Sequence, residues 1–109
     1  MNKSIHEILQ DTYKEDPKIR ATALKQLCPC QLRANVKNAW IRHFEIIHDP
    51  DTKVRSIALH NICDGSPKEL ESDVVRAVEY LTKDSDKKLR RRARQIMAAY
   101  GRTGKINQP

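Results

Sequence analysis

Apolar positions recur along this chain at helical intervals, and the breaks between them fall on acidic, proline and glycine residues. Ile5, Ile8, Leu9 and Tyr13 lie at offsets of 3, 4 and 8, which predicts a helix over residues 3–13. Ile19, Ala23, Leu24 and Leu27 mark a second apolar face, entered through the N-cap Asp16 and Pro17. It ends at Cys28-Pro29-Cys30, because proline disfavours helical geometry in the residue before it. Val36, Ala39, Trp40, His43, Phe44 and Ile47 predict a third helix from about Leu32 to His48. A fourth starts at Asp51, turns Val54, Ala58, Leu59 and Ile62 inward, and stops at Cys63-Asp64-Gly65. The fifth runs from about Pro67 to Lys83, with Leu70, Val74, Val78 and Leu81 inward. The last covers Lys87 to about Tyr100 and buries Leu89, Ala93, Ile96, Met97 and Tyr100; Gly101 is its predicted stop, and residues 101–109 are expected to be a flexible tail.

One phrase opens every second helix. Asp16-Pro17-Lys18-Ile19-Arg20, Asp51-Thr52-Lys53-Val54-Arg55 and Asp86-Lys87-Lys88-Leu89-Arg90 are spaced by 35 residues, and Ala23, Ala58 and Ala93 follow in register. The chain therefore predicts one all-α domain, residues 1–100, of six helices in three hairpins at about 3–28, 32–63 and 67–100. Units this short cannot bury their own apolar faces and must stack on each other. The recurrent alanines then mark where second helices approach closely.

Ile47-His48-Asp49-Pro50-Asp51-Thr52-Lys53-Val54-Arg55, with Ala58, Leu59 and Ile62, resembles the second-helix signature of HEAT repeats. The closest flavour is the short bacterial and archaeal type also found in phycobilisome-lyase repeats. The resemblance covers residues 3–100 and implies an α-solenoid of three HEAT-like hairpins. It also implies a structural Asp–Arg ladder tying one inter-helix turn to the next, through Asp16 and Arg20, Asp51 and Arg55, and Asp86 and Arg90. HEAT repeats serve mainly as scaffolds, so it implies a non-catalytic module that binds another protein. Two departures fall in the terminal repeats, where one face lacks a neighbour. Lys14 stands where the others have Asp49 and Asp84, and Arg94 where they have Leu24 and Leu59.

Charge adds an alternative. The net charge of +7 is uneven, with +5 of it in residues 71–109. Lys87, Lys88, Arg91, Arg92 and Arg94 share the outward side of the last helix, away from Leu89, Ala93 and Met97. Such a surface can neutralise several phosphates, so nucleic acid or another acidic partner is the alternative to a solvated cap. No aromatic residue interleaves it, so base stacking is not suggested. HEAT-like repeats also occur in alkylpurine DNA glycosylases, but no catalytic Asp stands beside a Trp here.

The three cysteines are an odd number, against a disulfide framework and for a reducing, cytoplasmic setting. Cys28, Cys30 and Cys63, with His60 as a fourth donor, are the lesser candidate for a metal or redox site, although two-residue Cys spacing is commoner at zinc. Buried small thiols are the default, so no cofactor is expected. HEAT-repeat deoxyhypusine hydroxylases hold iron through several His-Glu pairs, whereas this chain has only His6-Glu7, with Ile41 and Arg76 at the repeat-equivalent positions. No Gly-rich phosphate loop or Ser/His/Asp order stands out, and no enzyme activity is predicted. No apolar run approaches the roughly 20 residues a membrane span needs. An exposed end of the stack leaves self-association open.

Overall fold

The computed structural model describes residues 3–28 and 37–107, and every regular element among them is helical. The helices are α1 (Ile5–Asp11), α2 (Pro17–Gln26), α3 (Lys37–Ile46), α4 (Thr52–Ile62), α5 (Glu71–Leu81) and α6 (Lys87–Thr103), with a 3-10 turn, Lys68–Leu70, leading into α5. Leu32, Val36 and Cys30 lie outside the described residues.

Helix starts follow local chemistry. Ser4 and Glu7 form a reciprocal capping box: the Glu7 N–H donates to Ser4 Oγ at 3.2 Å and the Ser4 N–H donates to Glu7 Oε1 at 3.1 Å. The backbone bond from Ser4 holds the Glu7 carboxyl below its ordinary pKa. Asp16, Asp51 and Asp86 cap α2, α4 and α6, accepting from the N–H groups of Lys18, Val54 and Leu89. After α4 the chain reverses through Gly65, whose φ of 86° suits a residue without a Cβ.

Each helix packs on its sequence neighbour, α1 on α2, α3 on α4 and α5 on α6. Beyond these pairs α2 touches α4, α4 touches α6, and α3 touches α5. Ala23, Ala58 and Ala93 are buried, at 1%, 0% and 0% exposure. The main core runs from Leu24 through Trp40, Val54, Leu59, Ile62, Val74, Val78 and Leu81 to Leu89 and Ile96. Ile8, Ala23, Leu27 and Ala39 form a smaller cluster beside it.

Four sequence expectations change. Ile19 is 42% exposed while its counterparts Val54 and Leu89 are buried; among the described residues no earlier hairpin packs on α2 as α2 packs on α4 and α4 on α6. Pro67 starts the 3-10 turn instead of α5 itself. The last helix runs through Gly101 to Thr103, and Gly104, at φ 70°, supplies the left-handed stop. Residues 105–107 are held rather than flexible: Ile106 is 2% exposed in the main core. Asn107 Oδ1 accepts from the Gly65 N–H, the Ser66 N–H and the Ser66 hydroxyl at 3.0–3.1 Å.

Candidate functional site

Arg20, Arg55 and Arg90 repeat one arrangement along the inter-helix turns. Nη1 of each donates to two carbonyls of the turn just before its own helix. For Arg20 these are Lys14 and Glu15, for Arg55 Asp49 and Pro50, and for Arg90 Asp84 and Ser85. The other edge of the guanidinium reaches forward. Arg20 grips Asp49 through Nε and Nη2 at 2.8 and 2.9 Å, and Arg55 grips Asp84 at 3.0 Å through both nitrogens. The acids of the ladder are therefore Asp49 and Asp84. Asp16, Asp51 and Asp86, the acids expected from the four-residue spacing, cap their own helices, because a side chain at the helix start points at the free N–H groups there. Arg90 has no acid in this role among the described residues. Burial opposes charge on Asp84, yet the Arg55 fork, the Asp86 N–H and the nearby cations hold its carboxyl below the usual range. Bonding to Asp49 likewise raises the Arg20 pKa. With side-chain exposures of 6–12%, these forks are structural ties between turns, not an open anion grip.

Inside, His43 and Asn61 join three helices. The His43 Nδ1–H donates to the Ala39 carbonyl at 2.7 Å, which leaves Nε2 to accept from Asn61 Nδ2 at 2.9 Å. Asn61 Nδ2 also donates to the Leu24 carbonyl at 2.8 Å. Burial lowers the His43 pKa, in keeping with a neutral ring. On the far side of α3, Arg42 donates to the Thr12 hydroxyl and carbonyl, both at 2.9 Å, and lies 3.7 Å from the centre of the Tyr13 ring. Neither network shows in the apolar pattern. The pairing of polar residues at buried helical positions, His43 and Asn61, was the available signal.

The outer side of α6 presents Lys87, Lys88, Arg91, Arg92 and Arg94, all exposed. The stripe follows from the helix itself: Leu89, Ala93 and Ile96 are buried, so the positions between them face out. Lys87, Arg90, Arg91 and Arg94, with Gln95 and Ala98, line a shallow groove along the helix. Among the described residues, Lys87, Lys88, Arg91 and Arg92 make no ion pair. Arg94 differs, because its Nε donates to the Thr82 carbonyl at 3.0 Å and so ties α6 to the end of α5.

The cysteines separate. Cys63 packs in the main core, and burial pushes its thiol up to about 12 although the charge of Arg92 pulls the other way. A thiol held protonated is a poor nucleophile. Cys28 instead meets His60 and Asp64. Of the three thiols expected to form one set, Cys28 meets His60 and Asp64, Cys63 packs in the main core, and Cys30 lies outside the described residues.

Comparison with models of known families, with curated proteins and with solved structures finds no match. No helix among the described residues is long and apolar enough to cross a membrane. His6, which opens the single His-Glu pair, is exposed and lies 3.4 Å from Gln10 Nε2.

Proposed function

We propose that this chain is a HEAT-like solenoid of three helical hairpins acting in the cytoplasm as a non-catalytic binding module for an acidic partner. The pairing of α1 with α2, α3 with α4 and α5 with α6, and the contacts of α2 with α4 and α4 with α6, support the stacked arrangement. So do the buried alanines at 23, 58 and 93. One observation carries the partner class: four exposed cations on one side of α6, Lys87, Lys88, Arg91 and Arg92, have no acidic counterpart among the described residues. An interface that supplied carboxylates would gain charge-assisted hydrogen bonds there without breaking existing ones. An acidic protein surface is the leading partner.

A second reading is nucleic acid, favoured by the groove that runs past Lys87, Arg90, Arg91 and Arg94. Five phosphate contacts would give a log-affinity slope against log-salt of about −4 to −5. Fluorescence anisotropy with a labelled polyglutamate peptide and a labelled DNA duplex, at graded salt, separates the two. Tighter binding of the peptide, reduced at least tenfold by Arg91→Glu with Arg92→Glu, supports the protein reading. A steep salt slope on the duplex, lost in the same variant, selects nucleic acid. Binding of neither probe, or binding indifferent to those charges, refutes the α6 surface as the site. Light scattering during the titration reports whether self-association competes for it.

A further inference from the structure

We propose that Cys28, His60 and Asp64 form a zinc-class metal site that clips the end of α2 to the end of α4. The three donor atoms converge on one point. Cys28 Sγ lies 3.5 Å from Asp64 Oδ2 and 4.0 Å from His60 Nε2, and His60 Nε2 lies 3.8 Å from Asp64 Oδ2. Around tetrahedral zinc, with bonds of about 2.3 Å to sulfur and about 2.0–2.1 Å to nitrogen and oxygen, donors stand roughly 3.3–3.6 Å apart. The triangle in the protein is therefore within about half an ångström of the liganded one. His60 has two-thirds of its side chain exposed and is free to rotate inward.

The backbone explains the convergence. Cys28 follows the C-cap of α2, directly after buried Leu27. His60 and Asp64 stand one helical turn apart on either side of the Cys63 C-cap, so their side chains project from the same edge of α4. Asn107 holds the adjoining turn by accepting from Gly65 and Ser66, which fixes the backbone that carries Asp64. The sulfur is buried and the imidazole exposed, so an ion would enter from solvent past His60 and keep a fourth position for water or another donor.

The same geometry argues against a Cys-His-Asp nucleophile. In a relay, one imidazole nitrogen faces the thiol and the other faces the carboxylate. Here Nε2 faces both, and the thiol lies within reach of the carboxylate directly. Two donors that become anionic, focused with a neutral imidazole on one volume, suit a divalent ion of borderline softness. Binding would release the thiol proton, so uptake should strengthen as pH rises.

The test uses the full chain, stripped with chelator and titrated with Co(II) as a spectroscopic stand-in and then with Zn(II). The expected result is one equivalent of cobalt, a thiolate-to-cobalt charge-transfer band, and displacement by zinc. Cys28→Ser should abolish the band. His60→Gln and Asp64→Asn, both at accessible side chains, should weaken zinc at least tenfold with the helical circular dichroism unchanged. Cys63→Ala should still take one equivalent with the same band. Absence of the band in the parent chain, wild-type affinity in folded His60→Gln and Asp64→Asn, or loss of binding in folded Cys63→Ala would each overturn the assignment.

Discussion

Replacing Asp84 with alanine tests whether the ladder holds neighbouring turns together. The change removes both bonds from the Arg55 fork, at 3.0 Å each, and the bond accepted from the Asp86 N–H at 2.9 Å. Arg55 itself stays buried at 8% exposure, with the Asp49 and Pro50 carbonyls and the Thr52 hydroxyl as its remaining acceptors. Removing one partner of a buried pair costs about 3–5 kcal/mol, and the retained acceptors place this case near about 3 kcal/mol. For a domain of this size that corresponds to a fall in Tm of roughly 12–24 °C. Thermal melts and urea titrations followed by circular dichroism measure it. Arg90→Ala is the internal control: Arg90 has the same carbonyl contacts but no acid in its fork among the described residues, so its loss should cost about 1 kcal/mol. An Asp84→Ala protein within about 1 kcal/mol of the parent, or an Arg90→Ala protein as unstable as Arg55→Ala, would refute the reasoning.

Ala58→Leu should cost about 1–3 kcal/mol in urea titration, since Ala58 is fully buried and a larger side chain forces neighbouring helices apart. His43 sets a pH dependence: its pKa in the fold lies below the ordinary 6.5, so the unfolded chain binds the proton more readily. Its contribution is complete above about pH 6.5 and declines as pH falls, by at most about 1.4 kcal/mol per unit, and His43→Gln should flatten the decline. Asp84, with its pKa below the ordinary 3.8, contributes fully above that value and loses its contribution only as pH falls through its lower folded value, so the two declines begin at different pH in an acid titration. Asn107→Ala strands three donors at Gly65 and Ser66 and should cost about 1–2 kcal/mol, read as a lower urea midpoint with an unchanged slope.

The helices were readable because period and punctuation agreed: an acidic cap, an aliphatic stripe and a recurrent alanine each pointed to the same boundaries. Partner choice was harder to read. Arg55 lies four residues from Asp51 in sequence, yet its fork reaches Asp84, 29 residues away, because the helix start already claims Asp51. The contrast of Lys14 with Asp49 and Asp84 was the better clue to the ladder's acids. Gly101 misled for a related reason: a glycine permits a helix end without requiring one, and Ile106 draws the chain back to the core beyond it. The cation stripe on α6 was visible because it depends only on helical phase. The Cys28, His60 and Asp64 cluster was half visible. Register brought Cys28 and Cys63 to one level, but one helical residue separates an inward thiol from an outward carboxylate.

The ladder's direction bears on what a head-to-tail pairing of two copies would meet. Arg20 and Arg55 reach toward a turn later in the chain, and Arg90 ends the series with its fork unclaimed by an acid among the described residues. In a head-to-tail filament that fork would meet position 14 of the following copy. There it finds Lys14, so like charges would oppose each other where Asp49 and Asp84 close the internal rungs. In such a pairing, the charge at position 14 would oppose a further rung.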